Sequence, residues 1–178
     1  NGKPSEAGKT TFEVDENTGA LKSLCLDGEE LLASPVTISL FRPATDNDNR
    51  DRMGAKLWRK AGLHTLTQKV VSLKESKTSA TAQVNILNVT GKKVGDATLE
   101  YTLNHNGSLK VQTTFQPDTT WVKSIARLGL TFEMNDTYGN VTYLGRGEHE
   151  TYIDRNQSGK IGIYTTTPEK MFHYYVIP

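Results

Sequence analysis

The sequence predicts an all-β fold of mostly antiparallel strands. Apolar and polar residues alternate over many short segments, as in Leu128–Met134, where every second residue is apolar. A period of two is typical of a strand that buries one face and exposes the other. Turn-forming pairs such as Asp27-Gly28 and Asn106-Gly107 separate these segments. The near-regular spacing of strands and turns favours a sandwich or a barrel.

The individual elements follow from this alternation and from the turn residues between them. Strands are expected over 10–14, 20–26, 36–41, 64–73, 79–89, 96–104, 108–116, 121–134, 141–145 and 160–165. Lys56–Ala61 predicts one or two helical turns that end at Gly62, because glycine readily adopts the left-handed backbone found after a helix. Thr167 and Pro168 offer an N-cap and a first helical residue for a second short helix.

Composition excludes several classes of protein. The chain has 178 residues, with 21 Lys and Arg against 20 Asp and Glu, so the net charge is 21 − 20 = +1. This balance gives no electrostatic reason to expect a nucleic-acid partner. The single cysteine, Cys25, excludes an internal disulfide and a cysteine-based zinc site, and its apolar neighbours predict a small buried side chain. No apolar run approaches the roughly 18 residues of a spanning helix, so no membrane partner is expected.

The chain is expected to form one domain over 1–178 that belongs to a longer multidomain protein. Its length fits a single core. It opens at Asn1 without a methionine or a signal peptide, and it ends at Pro178 directly after an aromatic and β-branched run. Both ends therefore predict a piece cut from a longer chain.

Two polar segments interrupt the alternation, at Phe41–Arg52 and Tyr143–Arg155. Polar loops on a rigid β scaffold often carry function. In the second segment Glu148, Glu150 and Asp154 suggest glycoside hydrolysis, which uses two carboxylates about 5 to 10 Å apart. The more economical interpretation is that these acids pair with the arginines of the same loop and fix its conformation.

The first polar segment offers oxygen ligands for a hard cation such as Ca²⁺ or Mg²⁺. These are Asp46, Asn47, Asp48 and Asp51. The glycine and the glutamate of an EF-hand loop are missing, so a network of Asx turns is favoured over a cation site. Trp58 lies in the short helical segment, where core packing is favoured over stacking on a sugar.

Four motifs, in the same order as in a known family, give the sequence a resemblance. Phe41–Asp48 resembles the F-x-R-A-P-x-D-N-D motif of bacterial β-galactosidases of glycoside hydrolase family 2, and Leu57–Leu63 resembles the segment that follows it. Gly145–Arg155 is similar to the family's G-x-G-P-x-E-x-Y-x-D-R, and Met171–Pro178 to its M-[YF]-x-x-Y-[VI]-x-P. The chain departs from the family at Pro43-Ala44, which are in swapped order, and at Glu148, which replaces a proline.

The resemblance implies the C-terminal, small-chain domain (domain 5) of such an enzyme. The implied fold is a galactose-mutarotase-like supersandwich, incomplete at its C-terminus because the family domain continues past the position of Pro178 with a tail whose tryptophan contributes to the sugar site. The catalytic glutamates and a Mg²⁺ site would lie in a separate barrel upstream, so no cofactor and no catalytic residue is expected here. The implied partners are that barrel, the other domains of the parent and, through the parent, a galactoside. The parent is a candidate homo-oligomer.

The resemblance also implies roles for single residues. The segment Asn49–Gly54 borders the active site in the family and can move when substrate binds. The residues expected beside the substrate are Arg42, Asp46, Asn47, Asp48, Arg50 and Asp51. The residues expected to have a structural role are Glu150, Tyr152, Asp154 and Arg155.

Two other functions stay open at this point. A mutarotase-like epimerase needs a histidine acid and a carboxylate base, for which His105 or His149 with Glu150 are the candidates. A stand-alone carbohydrate-binding module would present Tyr101, Tyr143 and Trp121 on an exposed sheet face.

Overall fold

The computed structural model of the chain describes residues 9–49, 54–149, 151–152 and 155–171, and strands are its main element. The predicted all-β class is confirmed. The chain divides into two compact units. Unit 1 ends at Met134, and unit 2 begins at Asn135. In the described part, no helix has the length and apolar character needed to cross a membrane. The single domain over 1–178 and the larger supersandwich stay predictions.

Unit 1 consists of two antiparallel sheets and a helix. Its elements are β1 (Thr10–Val14), β2 (Leu21–Leu26), β3 (Glu29–Glu30), β4 (Leu32–Ser39), α1 (Gly54–Ala61), β5 (Leu66–Glu75), β6 (Ser79–Asn88), β7 (Lys93–Leu103), β8 (Leu109–Pro117) and β9 (Gly129–Met134). One sheet has the order β1-β2-β4-β9, with β3 paired to β2, and the other has the order β5-β6-β7-β8.

The two sheets of unit 1 share one core. Leu21 and Ile38 of the first sheet belong to the same buried cluster as Val84, Ile86 and Leu99 of the second. Each of these side chains is at most 5% exposed, and burial of such a side chain contributes about 1.5–3 kcal/mol. Unit 1 is therefore arranged as a sandwich, one of the two architectures that the spacing of strands and turns favoured.

Two buried side-chain amides, which no sequence pattern indicated, connect the elements of unit 1. Gln68 on β5 accepts a hydrogen bond from the Ile38 amide at 2.7 Å and donates to the Thr18 carbonyl at 3.0 Å. Asn88 at the end of β6 donates to the Ala61 carbonyl at 3.2 Å. Because a buried amide without partners is costly, these bonds fix how the sheets and α1 meet.

Helix α1 ends where the sequence predicts. It begins at Gly54, two residues before the predicted start, and finishes at Ala61. Gly62 follows with φ of 73°. A Cβ at Gly62 would also come within 2.9 Å of the Asn88 Cβ, so both the backbone conformation and the packing require glycine here.

Unit 2 is built on one β-hairpin. Its elements are β10 (Val141–Gly147), β11 (Lys160–Thr166), a 3₁₀ turn (Asn156–Ser158) and α2 (Pro168–Met171). The hairpin strands are antiparallel, with Leu144 opposite Ile163. The Thr167 carbonyl accepts bonds from the amides of Lys170 and Met171, so the predicted second helix is confirmed.

The strand predicted over 121–134 is wrong in its first part, because β9 begins only at Gly129. Asp118 holds the residues that follow it, and that come before β9, in a turn. Its carbonyl accepts from the Val122 amide at 2.9 Å and its carboxylate from the Thr120 amide at 3.1 Å. A side chain that bonds its own neighbourhood competes with strand pairing, so an apolar run alone overestimates the strand.

Cys25 on β2 is half-buried and hydrogen-bonded, not the buried apolar side chain that the sequence predicts. Its thiol lies 3.4 Å from Glu30 Oε2. The Glu30 carboxylate also accepts from the Ser23 hydroxyl and from the Leu24 and Leu32 amides, the latter two at 3.0 Å. These bonds lower the pKa of Glu30 to about 2, because they favour the charged carboxylate.

The lowered pKa of Glu30 predicts that the fold loses stability in acid. Since its pKa is lower in the folded state than in the unfolded chain, its contribution is fully present above pH 4.5 and is lost as pH falls toward 2. The site is largely exposed, so we expect Glu30→Gln to cost only about 1 kcal/mol at pH 7 and much less at pH 3. Urea unfolding at both pH values measures this, with the exposed Glu133→Gln on β9 as the control; an equal cost at both values would contradict it.

Candidate functional site

The first polar segment forms the connection from β4 to α1, and the structure describes it up to Asn49. A turn closes the loop, because the amides of Asp48 and Asn49 both donate to the Thr45 carbonyl, at 3.0 and 3.2 Å. The Ala55 amide donates to the Asp48 carbonyl at 3.1 Å. The loop is thereby attached to the first turn of α1.

Arg42 and Asp48 form a two-pronged ion pair across this loop. Arg42 Nη1 lies 2.6 Å from Asp48 Oδ2, and Nη2 lies 3.2 Å from Oδ1. The same Oδ2 accepts from the Thr45 amide and hydroxyl, both at 2.8 Å. The side chains are 22% and 17% exposed. A paired, partly buried arrangement of this kind holds both side chains in one geometry.

The pair sets the chemistry of Asp48. Burial by itself would raise the pKa of Asp48, but the hydrogen bonds from Arg42 and Thr45 outweigh burial, so the pKa lies below its usual value. The general acid of a glycosidase needs a raised pKa. Asp48 is therefore suited to hold the loop and unsuited to donate a proton.

The ring of Trp58 on α1 packs against Phe41 and Arg42 of the loop. The Arg42 guanidinium carbon lies 5.2 Å from the centroid of the Trp58 ring, and Phe41 meets the ring edge-on with centroids 6.5 Å apart. Trp58 is 4% exposed and its indole nitrogen donates to Ser124 Oγ at 2.9 Å. The interpretation of Trp58 as a core residue is confirmed, whereas nothing in the sequence indicated Ser124 as its partner.

The other residues predicted beside the substrate have different positions. Asp46 and Asn47 are exposed at the turn of the loop. Arg50 and Asp51 lie outside the described residues, so their predicted roles stay predictions. Asp48, the third described member of the proposed cation site, is bound to Arg42, which favours the turn network. Nowhere in the described ranges do three or more His, Cys, Asp or Glu side chains cluster as ligands for a metal ion.

The second polar segment begins on β10 and continues into the turn before β11. Tyr143 and Tyr164 pack with ring centroids 5.6 Å apart, and Arg146 donates to the carbonyls of Asn156 and Gly159, both at 3.0 Å. Glu150 and Asp154 lie outside the described residues, so their predicted pairing with arginine and their structural role stay predictions.

The remaining predicted structural residues of this segment close its turn. The Arg155 amide donates to the Tyr152 carbonyl at 2.8 Å, and the Arg155 carbonyl accepts from the Ser158 hydroxyl at 2.8 Å. Ser158 Oγ also lies 3.2 Å from His149 Nε2. An open cavity of about 670 Å³ also lies in unit 2, and Tyr143, His149, Tyr164 and Lys170 contribute to its lining.

Two of the three aromatic residues proposed for a carbohydrate-binding face are placed otherwise. Tyr101 is 1% exposed and donates to the Gly19 carbonyl at 2.9 Å, and burial raises its pKa. Trp121 donates to the Lys93 carbonyl at 3.0 Å, and Lys92 Nζ lies 3.8 Å from the ring centroid. These two rings do not form a shared exposed platform, because strand alternation directs Tyr101 into the core.

Comparison with known proteins gives related β-galactosidases. The chain is 26% identical over 178 residues to a β-galactosidase of Yersinia enterocolitica, covering 94% of this chain and 17% of the relative. It is 28% identical to a β-galactosidase of Priestia megaterium and 29% identical to one of Kluyveromyces lactis, covering 94% and 92% of this chain. The chain spans only 16% of the length of each of these two relatives.

A family profile described as the small chain of beta galactosidase matches residues 6–178. The match includes the loop that Arg42 and Asp48 hold and the hairpin that carries the second polar segment. The chain belongs to the β-galactosidase small-chain family.

Proposed function

We propose that this chain is a non-catalytic domain of a larger β-galactosidase. In this proposal the domain supports the catalytic barrel of the parent and borders its sugar site through the loop from Arg42 to Gly54. The parent hydrolyses terminal β-galactosides in oligosaccharides with retention, using two carboxylates that other parts of the parent supply. A Mg²⁺ ion would belong to that barrel.

The main support for a non-catalytic role is that the Asp48 carboxylate is paired and ionised. In the loop that resembles the family's D-N-D motif, Asp48 is bound by Arg42 and Thr45 and its pKa is lowered. Such a carboxylate stabilises the loop and remains ionised. The small share of each relative that the chain spans, 17% for the Yersinia enterocolitica enzyme, supports a domain within a longer protein.

The contacts of the same loop support the proposal that this loop borders the sugar site of the parent. Arg42, Asp48 and Trp58 anchor the loop on the sandwich, while Asp46 and Asn47 remain exposed at its turn. Carboxylate and amide groups on an anchored loop are suited to hydrogen-bond the hydroxyl groups of a sugar, because their positions are fixed before binding.

The first test measures hydrolysis of a chromogenic β-galactoside by this chain and by the full-length parent. We expect turnover by the parent and none by the 178-residue chain, because the carboxylates that act on the bond lie elsewhere. Turnover by the purified chain would show that the chain is itself an enzyme, and an inactive parent would contradict a β-galactosidase.

The second test asks whether the loop borders the sugar site. In the parent, the double variant Asp46→Ala/Asn47→Ala is expected to raise KM several-fold, the effect of losing one or two hydrogen bonds to substrate. The matched control is Glu16→Ala/Asn17→Ala, an exposed acid and amide in the turn between β1 and β2. Equal kinetics for the two double variants would contradict the position of the loop.

A further inference from the structure

The connection between β8 and β9 contacts both elements that flank the polar loop between β4 and α1. This connection spans residues 118–128. On the β4 side it bonds through the main chain, because the Ala126 amide donates to the Leu40 carbonyl at 3.2 Å. On the α1 side it bonds through a side chain, because Ser124 Oγ accepts from the indole nitrogen of Trp58 at 2.9 Å. One segment, remote in sequence, is therefore bonded to both elements from which the loop extends.

A side-chain contact strengthens the bond on the β4 side. Arg127 Nη2 donates to Ser39 Oγ at 3.0 Å, and the Ser39 hydroxyl lies 3.3 Å from the Phe41 carbonyl and donates to it. The connection itself is fixed on the sandwich through Val122, which is 4% exposed and belongs to the core cluster. All of these residues belong to unit 1, so the arrangement is internal to one compact unit.

The ring of Trp58 contacts both ends of the loop. At the first end, the Arg42 guanidinium carbon lies 5.2 Å from the ring centroid. At the second end, a Cβ added to Gly54 would overlap the ring, so the ring packs directly on the first residue of α1. An indole has a single N–H group, and in this structure it is bonded to Ser124. The Ser124 hydroxyl thus fixes the orientation of a ring that both ends of the loop contact.

We propose that Ser124 is a positioning residue for substrate binding in the parent β-galactosidase. Its hydroxyl holds the Trp58 ring, the ring holds both ends of the loop, and the loop presents Asp46 and Asn47 to the galactoside. This inference rests on the proposed function, because it takes the loop to border the sugar site. Groups that are fixed before binding lose less freedom when the sugar binds. A residue that supports them therefore affects affinity without touching the substrate.

Burial distinguishes Ser124 from the other polar contact of the connection. Arg127 is exposed, so water can replace its bond to Ser39. The Trp58 ring is 4% exposed, and an N–H group left unpaired at such a position is costly. Without the Ser124 hydroxyl, the ring has to shift to reach water or another acceptor, and the loop ends that pack on it shift as well.

Steady-state kinetics of the full-length parent with a chromogenic β-galactoside test this role. Ser124→Thr keeps a hydroxyl, whereas Ser124→Val has nearly the same shape without one. We expect Ser124→Val to raise KM about threefold and to change kcat by less than about twofold, because the substrate loses binding and the reacting groups are untouched. Ser124→Thr should stay close to the wild type, since its hydroxyl can still accept from the indole.

Tyr101→Phe in the parent is the control for lost stability. It removes another buried hydrogen bond of unit 1, from a side chain that is 1% exposed to the carbonyl of Gly19 in the turn between β1 and β2. This variant should unfold at a lower temperature than the wild type but keep the wild-type KM. A rise in KM as large as that of Ser124→Val would overturn the positioning role, because lost stability alone would then explain the effect.

A combined variant shows whether Ser124 acts through the loop. In the Asp46→Ala/Asn47→Ala background, Ser124→Val should raise KM less than it does in the otherwise wild-type parent, because the groups that it positions are already absent. An equal rise in both backgrounds would overturn the inference. If Ser124→Val does not fold in the parent, Ser124→Ala takes its place in both comparisons.

The outcomes separate this inference from the proposed function. If Asp46→Ala/Asn47→Ala raises KM but Ser124→Val and Ser124→Thr have the same KM, the positioning role is wrong and the proposed function stands. If Asp46→Ala/Asn47→Ala has the kinetics of its matched control, the position of the loop is contradicted, and the inference falls with it. A wild-type parent that does not hydrolyse the galactoside contradicts the proposed function itself.

Discussion

Trp58→Ala is expected to destabilise unit 1 by about 3–5 kcal/mol, the range for removal of a buried tryptophan side chain. The side chain is 4% exposed, meets Phe41 edge-on and carries the Arg42 guanidinium over its ring. Its loss would leave a cavity between α1 and the loop. Urea unfolding followed by far-UV circular dichroism measures the effect, because most strands belong to unit 1.

Trp58→Phe is the matched control for this substitution. It keeps an aromatic ring in the cavity but removes the indole nitrogen that donates to Ser124 at 2.9 Å. We expect a cost of about 1–3 kcal/mol, from the unpaired hydroxyl and the reduced packing. A cost for Trp58→Ala no larger than that for Trp58→Phe would show that the ring does not support the loop through packing.

Arg42→Ala is expected to cost about 2–3 kcal/mol and to loosen the loop. The substitution leaves Asp48, whose side chain is 17% exposed, without its cation, and an unpaired, partly buried carboxylate is costly. Arg42→Lys should recover only part of this loss, since lysine cannot make the two-pronged contact. Urea unfolding at pH 7 gives the free energies of unfolding for all three proteins.

A double-mutant cycle with Arg42→Ala and Asp48→Ala isolates the pair. We expect the double variant to lose less stability than the sum of the single variants, because the second substitution removes a charge that the first has left unpaired. Additive costs would contradict a direct interaction.

The pH dependence provides an independent check. The lowered pKa of Asp48 stabilises the fold above the unfolded value near 3.8, and this contribution is lost as pH falls below it. Without Arg42, only the bonds from Thr45 oppose the effect of burial, so the pKa of Asp48 should move up toward its usual value and the loss of stability in acid should shrink.

The two substitutions link the stability of the sandwich to the proposed role of the loop. Trp58 connects the loop to the core, and the ion pair of Arg42 with Asp48 joins two positions within the loop. Since Asp46 and Asn47 are carried between these anchors, a variant that loosens the anchors should also raise KM in the parent.

Much of unit 1 could be predicted from local pattern. The alternation in Ser79–Asn88 predicted a strand, and in the structure Ala80, Ala82, Val84 and Ile86 are buried at every second position. Gly62 marked the end of α1 because the left-handed backbone is local to that residue. Local conformation and side-chain direction depend on neighbours in sequence, so a pattern in sequence contains this information.

The features that could not be predicted from the sequence are contacts between residues far apart in the chain. Tyr101 has the alternation of a strand, but its burial and its bond to Gly19 depend on the facing sheet. Ser124, the partner of Trp58, is 66 residues away from it. No local pattern identifies such a partner, because neither residue type requires the other.

For the candidate site, the sequence by itself determined the family motifs, the all-β class and the composition of the two polar segments. Only the tertiary structure decided what each acid does. Asp48 is a loop anchor because folding places Arg42 and Thr45 on its two oxygens, and the pKa follows from those contacts and from burial. The pairing of β10 with β11 likewise depends on cross-strand register, which brings Leu144 and Ile163 together from positions 19 residues apart (163 − 144). The sequence determines which ionisable side chains are present. Their pKa values and hydrogen bonds depend on neighbouring groups and burial, which exist only in the folded chain.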